Sequence, residues 1–375
     1  MSTKDKQVIL DFQEQTLVEA KEPEFKFIDL FAGIGGFHIA MHRAGGDCVF
    51  AAEWDKFARV TYETNYKHIS PDLFSSGRFI GDVTQVSENL EMVPDFDVLC
   101  AGFPCQPFSN AGHKKGFEDT RGTLFFNIAE IVDHKVQLSK QDPSRRAPKV
   151  LLLENVKGLK GHDKGRTLKT ILETLENIGY KYSYEVLNSK NFGVPQNRER
   201  LFIIAWLDTP DAPAKFSFPY GLDENDQVIY DASKISELAK RTYLGQILEE
   251  EVDPKYTISQ KLHEGHLRRR EMHKQKGNGF GFSLFKYDSP YTSTISARYY
   301  KDGSEIMIHQ DDNRPRKLTP SEAARLQGYP AYDHLPEEER FKIPVSDGQA
   351  YKQFGNSVSV PVVSTLAKEI KKQLL

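Results

Sequence analysis

Cys105 sits in Gly102-Phe103-Pro104-Cys105-Gln106-Pro107, just after the apolar run Phe96-Asp97-Val98-Leu99-Cys100. The run reads as a buried strand, and the Gly and Pro after it put the thiol on a sharp loop at the strand's carboxyl end. That edge is where open α/β sheets bind ligands. A thiolate there is a strong nucleophile once cations or backbone N–H groups lower its pKa, although most free cysteines are small buried hydrophobes. A second chemical group closes the apolar run Val150–Leu153, which ends at Glu154-Asn155. A carboxylate at the end of a buried parallel strand suits acid–base work, and it equally suits a cap on the helix expected over Leu168–Ile178. Asn197-Arg198-Glu199-Arg200 then leads into the strand-like Leu201–Trp206. At i, i+2 the two arginines share a strand face, as a cation pair for a polar ligand or as a salt-bridged strand end.

The elements that must position these groups begin with Phe25–Leu30, a strand that runs into Phe31-Ala32-Gly33-Ile34-Gly35-Gly36 and a helix to about Arg43. Strand, glycine turn and helix open a nucleotide-binding unit, in which Gly33 and Gly35 let backbone approach a ligand and the helix start offers free N–H groups. A second strand, Cys48–Ala52, ends at Glu53, where an acid can hold a ribose, and Trp54 can stack on an adenine. Asp82, after a strand-like Gly77–Ile80, can take the adenine amino group. Ordinary turn glycines and a surface Trp are the alternative. No glycine follows three residues after Gly35, which favours an adenosine ligand without a pyrophosphate over NAD.

A chain of 375 residues, 39% hydrophobic and 27% charged, can bury a large core and make two domains. No apolar run reaches the ~18 residues of a membrane span, and the polar N-terminus is not a signal peptide. The three cysteines, Cys48, Cys100 and Cys105, lack metal-ligand spacing, so no metal is expected and a reducing cytoplasm is. Net charge is −3, so any nucleic-acid binding must come from a local patch. One candidate is Lys261–Lys276, rich in Arg, Lys and His and followed by Gly277-Asn278-Gly279-Phe280-Gly281-Phe282; a solvated helix face is its alternative. Asn110–Arg121 reads as a lid carrying cations or as a solvated loop, and Gln7–Ala20 as a short amphipathic helix. Ser293–Tyr300 and Glu305–His309 read as a hairpin around Lys301-Asp302-Gly303, and Gln349–Val358 as core.

Six blocks occur in one order, and together they resemble the DNA (cytosine-5) methyltransferases of bacterial restriction–modification type. They are Asp29 to Gly36, Gly102 to Gln106, Glu154-Asn155-Val156, Gln196 to Arg200, Leu318 to Pro330, and Gly355-Asn356-Ser357. The resemblance spans Phe25 to Leu374 and implies an α/β fold: a large Rossmann-like methyltransferase domain with a mostly parallel sheet, plus a smaller target-recognition domain. It implies an extension at 1–24, a catalytic and cofactor domain at 25–207 completed by 345–375, and target recognition at 208–344. S-adenosylmethionine, leaving as S-adenosylhomocysteine, is then expected against Phe31, Gly33, Gly35, Glu53, Trp54, Asp82, Leu124, Asn356 and Val358. Cys105 is the implied nucleophile, Glu154 contacts the cytosine edge, and Arg198 and Arg200 assist. Gln106, Ser109, Phe280, Thr294 and Arg298 are the implied DNA contacts.

The implied substrate is double-stranded DNA, modified by a monomer with no membrane association; a cognate restriction endonuclease acting separately is the other partner to look for. Three rivals stand beside it: a tRNA cytosine methyltransferase, a silent DNA-binding protein on this scaffold, and an NAD oxidoreductase. The long Trp206-to-Leu318 segment argues against the first, intact Cys105 and Glu154 against the second, and the glycine pattern against the third.

Overall fold

The computed structural model describes residues 22–104, 124–277, 281–311 and 313–375. The lid segment, Cys105, Gln106, Ser109, Phe280 and the expected helix at Gln7–Ala20 lie outside these residues. The described chain divides into two compact units, one of residues 22–187, 199–219 and 362–375, the other of 188–198 and 220–361.

The first unit is built on a sheet of seven strands: β1 (Phe25–Leu30), β2 (Gly46–Ala52), β3 (Phe79–Ile80), β4 (Val98–Gly102), β5 (Val150–Val156), β6 (Tyr180–Asn188) and β7 (Glu199–Leu207). Their order is β3-β2-β1-β4-β5-β7-β6, with β3 to β5 parallel and β7 antiparallel to β5. Consecutive residues of β1, β4 and β5 are buried, so both faces of the sheet are covered, which is why Val98–Ala101 and Val150–Leu153 read as unbroken apolar runs. Helix α1 (Gly36–Arg43) follows β1, and α2 (Lys56–Tyr66) starts at Asp55, whose carboxylate accepts the Phe57 and Ala58 amides. Helices α3 (Leu124–Gln141) and α4 (Arg166–Ile178) supply Ile128, Val132, Ile171 and Leu175 to the same core.

Asp29 lies fully buried in the middle of this sheet, and neither of its carboxylate oxygens accepts a hydrogen bond of normal geometry. Burial, reinforced by the charge of Glu53, pushes its carboxyl well above the ordinary range. The folded chain therefore keeps a proton that the unfolded chain releases near pH 4. Stability from this group is complete below that pH and is lost as pH rises through the folded-state value. Asp29→Asn is expected to remove this loss, leaving the Tm at pH 8 equal to or above wild type. Thermal melts at pH 5 and pH 8 check this; a variant several degrees less stable at pH 8 would show the ionised carboxylate to be a supporting group.

The second unit carries α5 (Gln260–Gln275) and several short strands, including β8 (Gly221–Leu222) paired with β9 (Val228–Ile229). The hairpin expected around Lys301-Asp302-Gly303 is not formed. Residues 293–300 hold no strand; instead β11 (Met307–Gln310) pairs parallel with β10 (Leu284–Phe285) and antiparallel with β12 (Asn313–Arg316). Backbone groups at the start of this stretch, and of Thr292 just before it, bond instead with residues 195–198. Thr292 donates its amide to Pro195 (2.8 Å), Asn197 donates to Thr292 (2.9 Å), and Arg198 donates to the Ile295 carbonyl (3.2 Å). Helix α6 (Pro320–Leu326) opens with a capping box between Thr319 and Glu322, and Glu322 also forms a buried ion pair with Arg316 at 2.7 Å. Helix α7 (Asp347–Asn356) packs within this unit, with Tyr351 against Tyr299 and Phe354 against Tyr329 and Phe341. Helix α8 (Val360–Leu374) follows; its residues from Val362 on belong to the first unit.

Candidate active site

The strand order reverses between β1 and β4, which makes their carboxyl ends the natural mouth of the sheet. The glycine turn leaves β1 there, and the chain toward Cys105 leaves β4 there. The turn is strained: Phe31 holds φ +56°, a left-handed value rare outside glycine, and Gly33 and Gly35 hold +55° and +82°. Glu53, at the end of β2, ties the turn down. One of its oxygens accepts the Gly33 amide and the other the Asp55 amide, each at 2.7 Å. Its burial raises its pKa, and these two amides oppose the rise. Trp54 follows with 76% of its surface exposed, a large apolar face left open beside the turn. Asp82 caps the 3-10 helix Val83–Glu88 by accepting the Thr84 amide, and Leu124 opens α3 against the core.

Register places the second chemical group. Gly102 of β4 is the Cα partner of Glu154, so the chain leaves β4 in the direction of Cys105 beside that carboxylate. Glu154 lies inside β5 rather than past its end. From the other side the antiparallel β7 pairs Val156 with Arg200 and Glu154 with Phe202, and the Arg200 Nε lies 3.2 Å from a Glu154 oxygen. Burial pulls the Arg200 guanidinium below its ordinary value, and the Glu154 carboxylate opposes that. Asn155, assigned no role from the sequence, donates from its side chain to the Phe103 carbonyl at 2.9 Å and so anchors the residue that follows β4. Its only sequence signal is its place beside Glu154.

Arg198 does not share a strand face with Arg200, because β7 begins at Glu199. It is buried in the second unit, where its guanidinium donates to the carbonyls of Ile295 (3.2 Å), Gly355 (3.2 Å) and Ser357 (2.6 Å). Two expected cofactor residues flank this clamp: Asn356 is exposed at the end of α7, and Val358 is buried. Thr294 donates to the Asn197 carbonyl at 2.6 Å, and Arg298 is exposed. On α5, Lys261, Arg268, Arg270 and Lys274 are exposed, as is Lys276 just past its end, whereas His266 is buried and stacked on Phe282 at 5.4 Å. Among the described residues no group of three or more His, Cys, Asp or Glu is gathered as for a metal ion, and no helix is long and apolar enough to cross a membrane.

A mostly parallel α/β sheet whose strand order reverses between β1 and β4 defines the class of scaffold. The family model of C-5 cytosine-specific DNA methylases matches residues 25–372, and the chain belongs to that family. Among relatives, Type II methyltransferase M.NlaX of Neisseria lactamica is 49% identical over 93% of this chain and 97% of its own. M.HpaII of Haemophilus parainfluenzae is 42% identical over 94% and 90%, and M.HhaI of Haemophilus parahaemolyticus 36% over 96% and 98%. The crystal structure of the S. pombe Dnmt2 methyltransferase shares the fold, with a TM-score of 0.65 at 20% identity over 93% of this chain and 98% of that one. The family resemblance and the fold class read from the sequence both stand.

Proposed function

We propose that this chain is a site-specific DNA (cytosine-5) methyltransferase, the modification enzyme of a Type II restriction–modification system. It takes its methyl group from S-adenosylmethionine and acts on a flipped-out cytosine in a short duplex sequence. The observation that supports the reading is the register that puts Gly102, three residues before Cys105 in sequence, beside Glu154, with Arg200 against the same carboxylate. The Type II names of the relatives support the biological setting.

The glycine turn suits the cofactor. A Cβ added at Gly33 would meet no atom within 4 Å, so the backbone there is open to a ligand, while Glu53 and exposed Trp54 flank it with an acceptor and a ring face. Phe31, Gly33, Gly35, Glu53, Trp54 and Asp82 would hold it, and Leu124, Asn356 and Val358 are the further residues proposed for it. When bound, S-adenosylmethionine supplies an electrophilic methyl group on a sulfonium. The protein's task is to make a poor carbon nucleophile good. The Cys105 thiolate adds to cytosine C6, and Glu154 protonates or hydrogen-bonds N3, so that electron density gathers on C5. Arg200, beside Glu154, is the arginine suited to hold O2, and Arg198 assists by fixing the segment that leads to it. After C5 is methylated a base removes its proton and Cys105 leaves. A base stacked in a duplex is out of reach, so it must be extruded at a cost of a few kcal/mol.

Gln106, Ser109, Phe280, Thr294 and Arg298 are the proposed DNA contacts, in a target-recognition region drawn from 208–344. The enzyme is proposed to act as a monomer in the cytoplasm, a separate endonuclease cutting unmodified sites. The test offers labelled S-adenosylmethionine with duplex DNA lacking 5-methylcytosine, or with tRNA, followed by bisulfite sequencing. Protected cytosines falling in one short motif are expected; label in tRNA alone would overturn the substrate.

A further inference from the structure

We propose that Tyr66 is a positioning residue for the cofactor, fixing the peptide planes of the glycine turn from beneath; this rests on the S-adenosylmethionine reading above. Tyr66 ends α2 and is buried, and its hydroxyl donates toward the carbonyls of Gly35 (2.8 Å) and Ile34 (3.2 Å). Across a trans peptide the N–H is antiparallel to the C=O. With the Gly35 carbonyl directed at Tyr66, the Gly36 amide is directed away from it. That amide is one of the first of α1, which have no acceptor inside the helix.

The ring and the turn are fitted to each other. A Cβ at Gly35 would lie 2.0 Å from a Tyr66 ring carbon, so glycine is required there by the tyrosine as well as by its φ of +82°. The Tyr66 ring is itself held by the His38 imidazole, stacked on it at 4.2 Å and 15°. His38 is held at both nitrogens, by the Tyr62 hydroxyl at 2.7 Å and the Ser70 hydroxyl at 3.3 Å. Two aromatic layers thus brace the turn against collapse or peptide flipping.

Positioning can be told from plain packing. The Gly35 carbonyl also accepts the Ile39 amide at 3.0 Å, so it keeps a partner when the hydroxyl is gone. Tyr66→Phe preserves ring, stack and volume and removes only the two polar contacts. The expected result is a folded variant whose Kd for S-adenosylhomocysteine, by titration calorimetry, rises about five- to tenfold. The KM for S-adenosylmethionine should rise in step, with kcat and DNA affinity held. Wild-type affinity in Tyr66→Phe, or a fall in kcat at constant KM, overturns the proposal while leaving the cofactor reading intact. If the wild-type protein itself binds no S-adenosylhomocysteine, the cofactor reading fails first. Should Tyr66→Phe not fold, His38→Asn carries the test: it leaves the hydroxyl and loosens the stack, so a smaller loss of affinity in the same direction is expected, and unchanged affinity overturns the proposal.

Discussion

Cys105→Ala is expected to abolish methyl transfer, by at least about four orders of magnitude in kcat, while duplex DNA and S-adenosylhomocysteine still bind. The size follows from the chemistry. Cytosine C5 does not attack a sulfonium methyl until a nucleophile has added at C6, and no other cysteine can supply it. Cys48 and Cys100 are fully buried in the sheet, and burial pushes both thiols well above their ordinary pKa. A gel-stable complex between wild-type enzyme and duplex containing 5-fluorocytosine, absent in the variant, is the direct measurement. Turnover retained in the variant would refute the covalent route.

Glu154→Gln is expected to lower kcat by about a hundredfold to ten-thousandfold, the range for a lost proton-transfer group. The variant stays isosteric and keeps an acceptor for Arg200, whose Nε lies 3.2 Å away, so the local frame should survive. What is lost is the ability to give a proton to N3 as the C6 bond forms. Cofactor affinity should stay within about twofold, because the residues proposed to hold it lie on other elements. Single-turnover rates compared with the Kd for S-adenosylhomocysteine decide the matter. Equal losses in both would assign Glu154 to the frame rather than to the chemistry.

The parts of the site that were legible in the sequence are those that strand burial writes into composition. Val150–Leu153 is apolar at every position because both faces are covered, so the first charged residue after it, Glu154, stands out. The glycines after β1 were legible for a similar reason, since a strained turn admits few residue types. Direction and register were not. Leu201–Trp206 has the same composition whichever way it runs, and only the pairing of Val156 with Arg200 shows that β7 is antiparallel and delivers its first residues to the edge where β5 delivers its last. Nor does spacing separate Arg198 from Arg200. One begins its work a residue before the strand and is absorbed by three carbonyls, a long-range fact that no local pattern carries. Tyr66 was silent too, as one tyrosine among 16 until the fold brought it under Gly35.

The interleaving of the two units bears on how the protein is made. In α8 the stripe Val363, Leu366, Ala367 and Ile370 is buried, and Lys371 pairs with Glu24, 347 positions earlier in the chain. At about 5–20 residues per second, the ribosome delivers that helix roughly 20 to 70 s after the first strand has emerged. Until then the first unit lacks its last helix, and neither unit can be released as a contiguous fragment. The cost of this architecture therefore falls on synthesis, during which the first unit stays incomplete until the last residues of the chain are made.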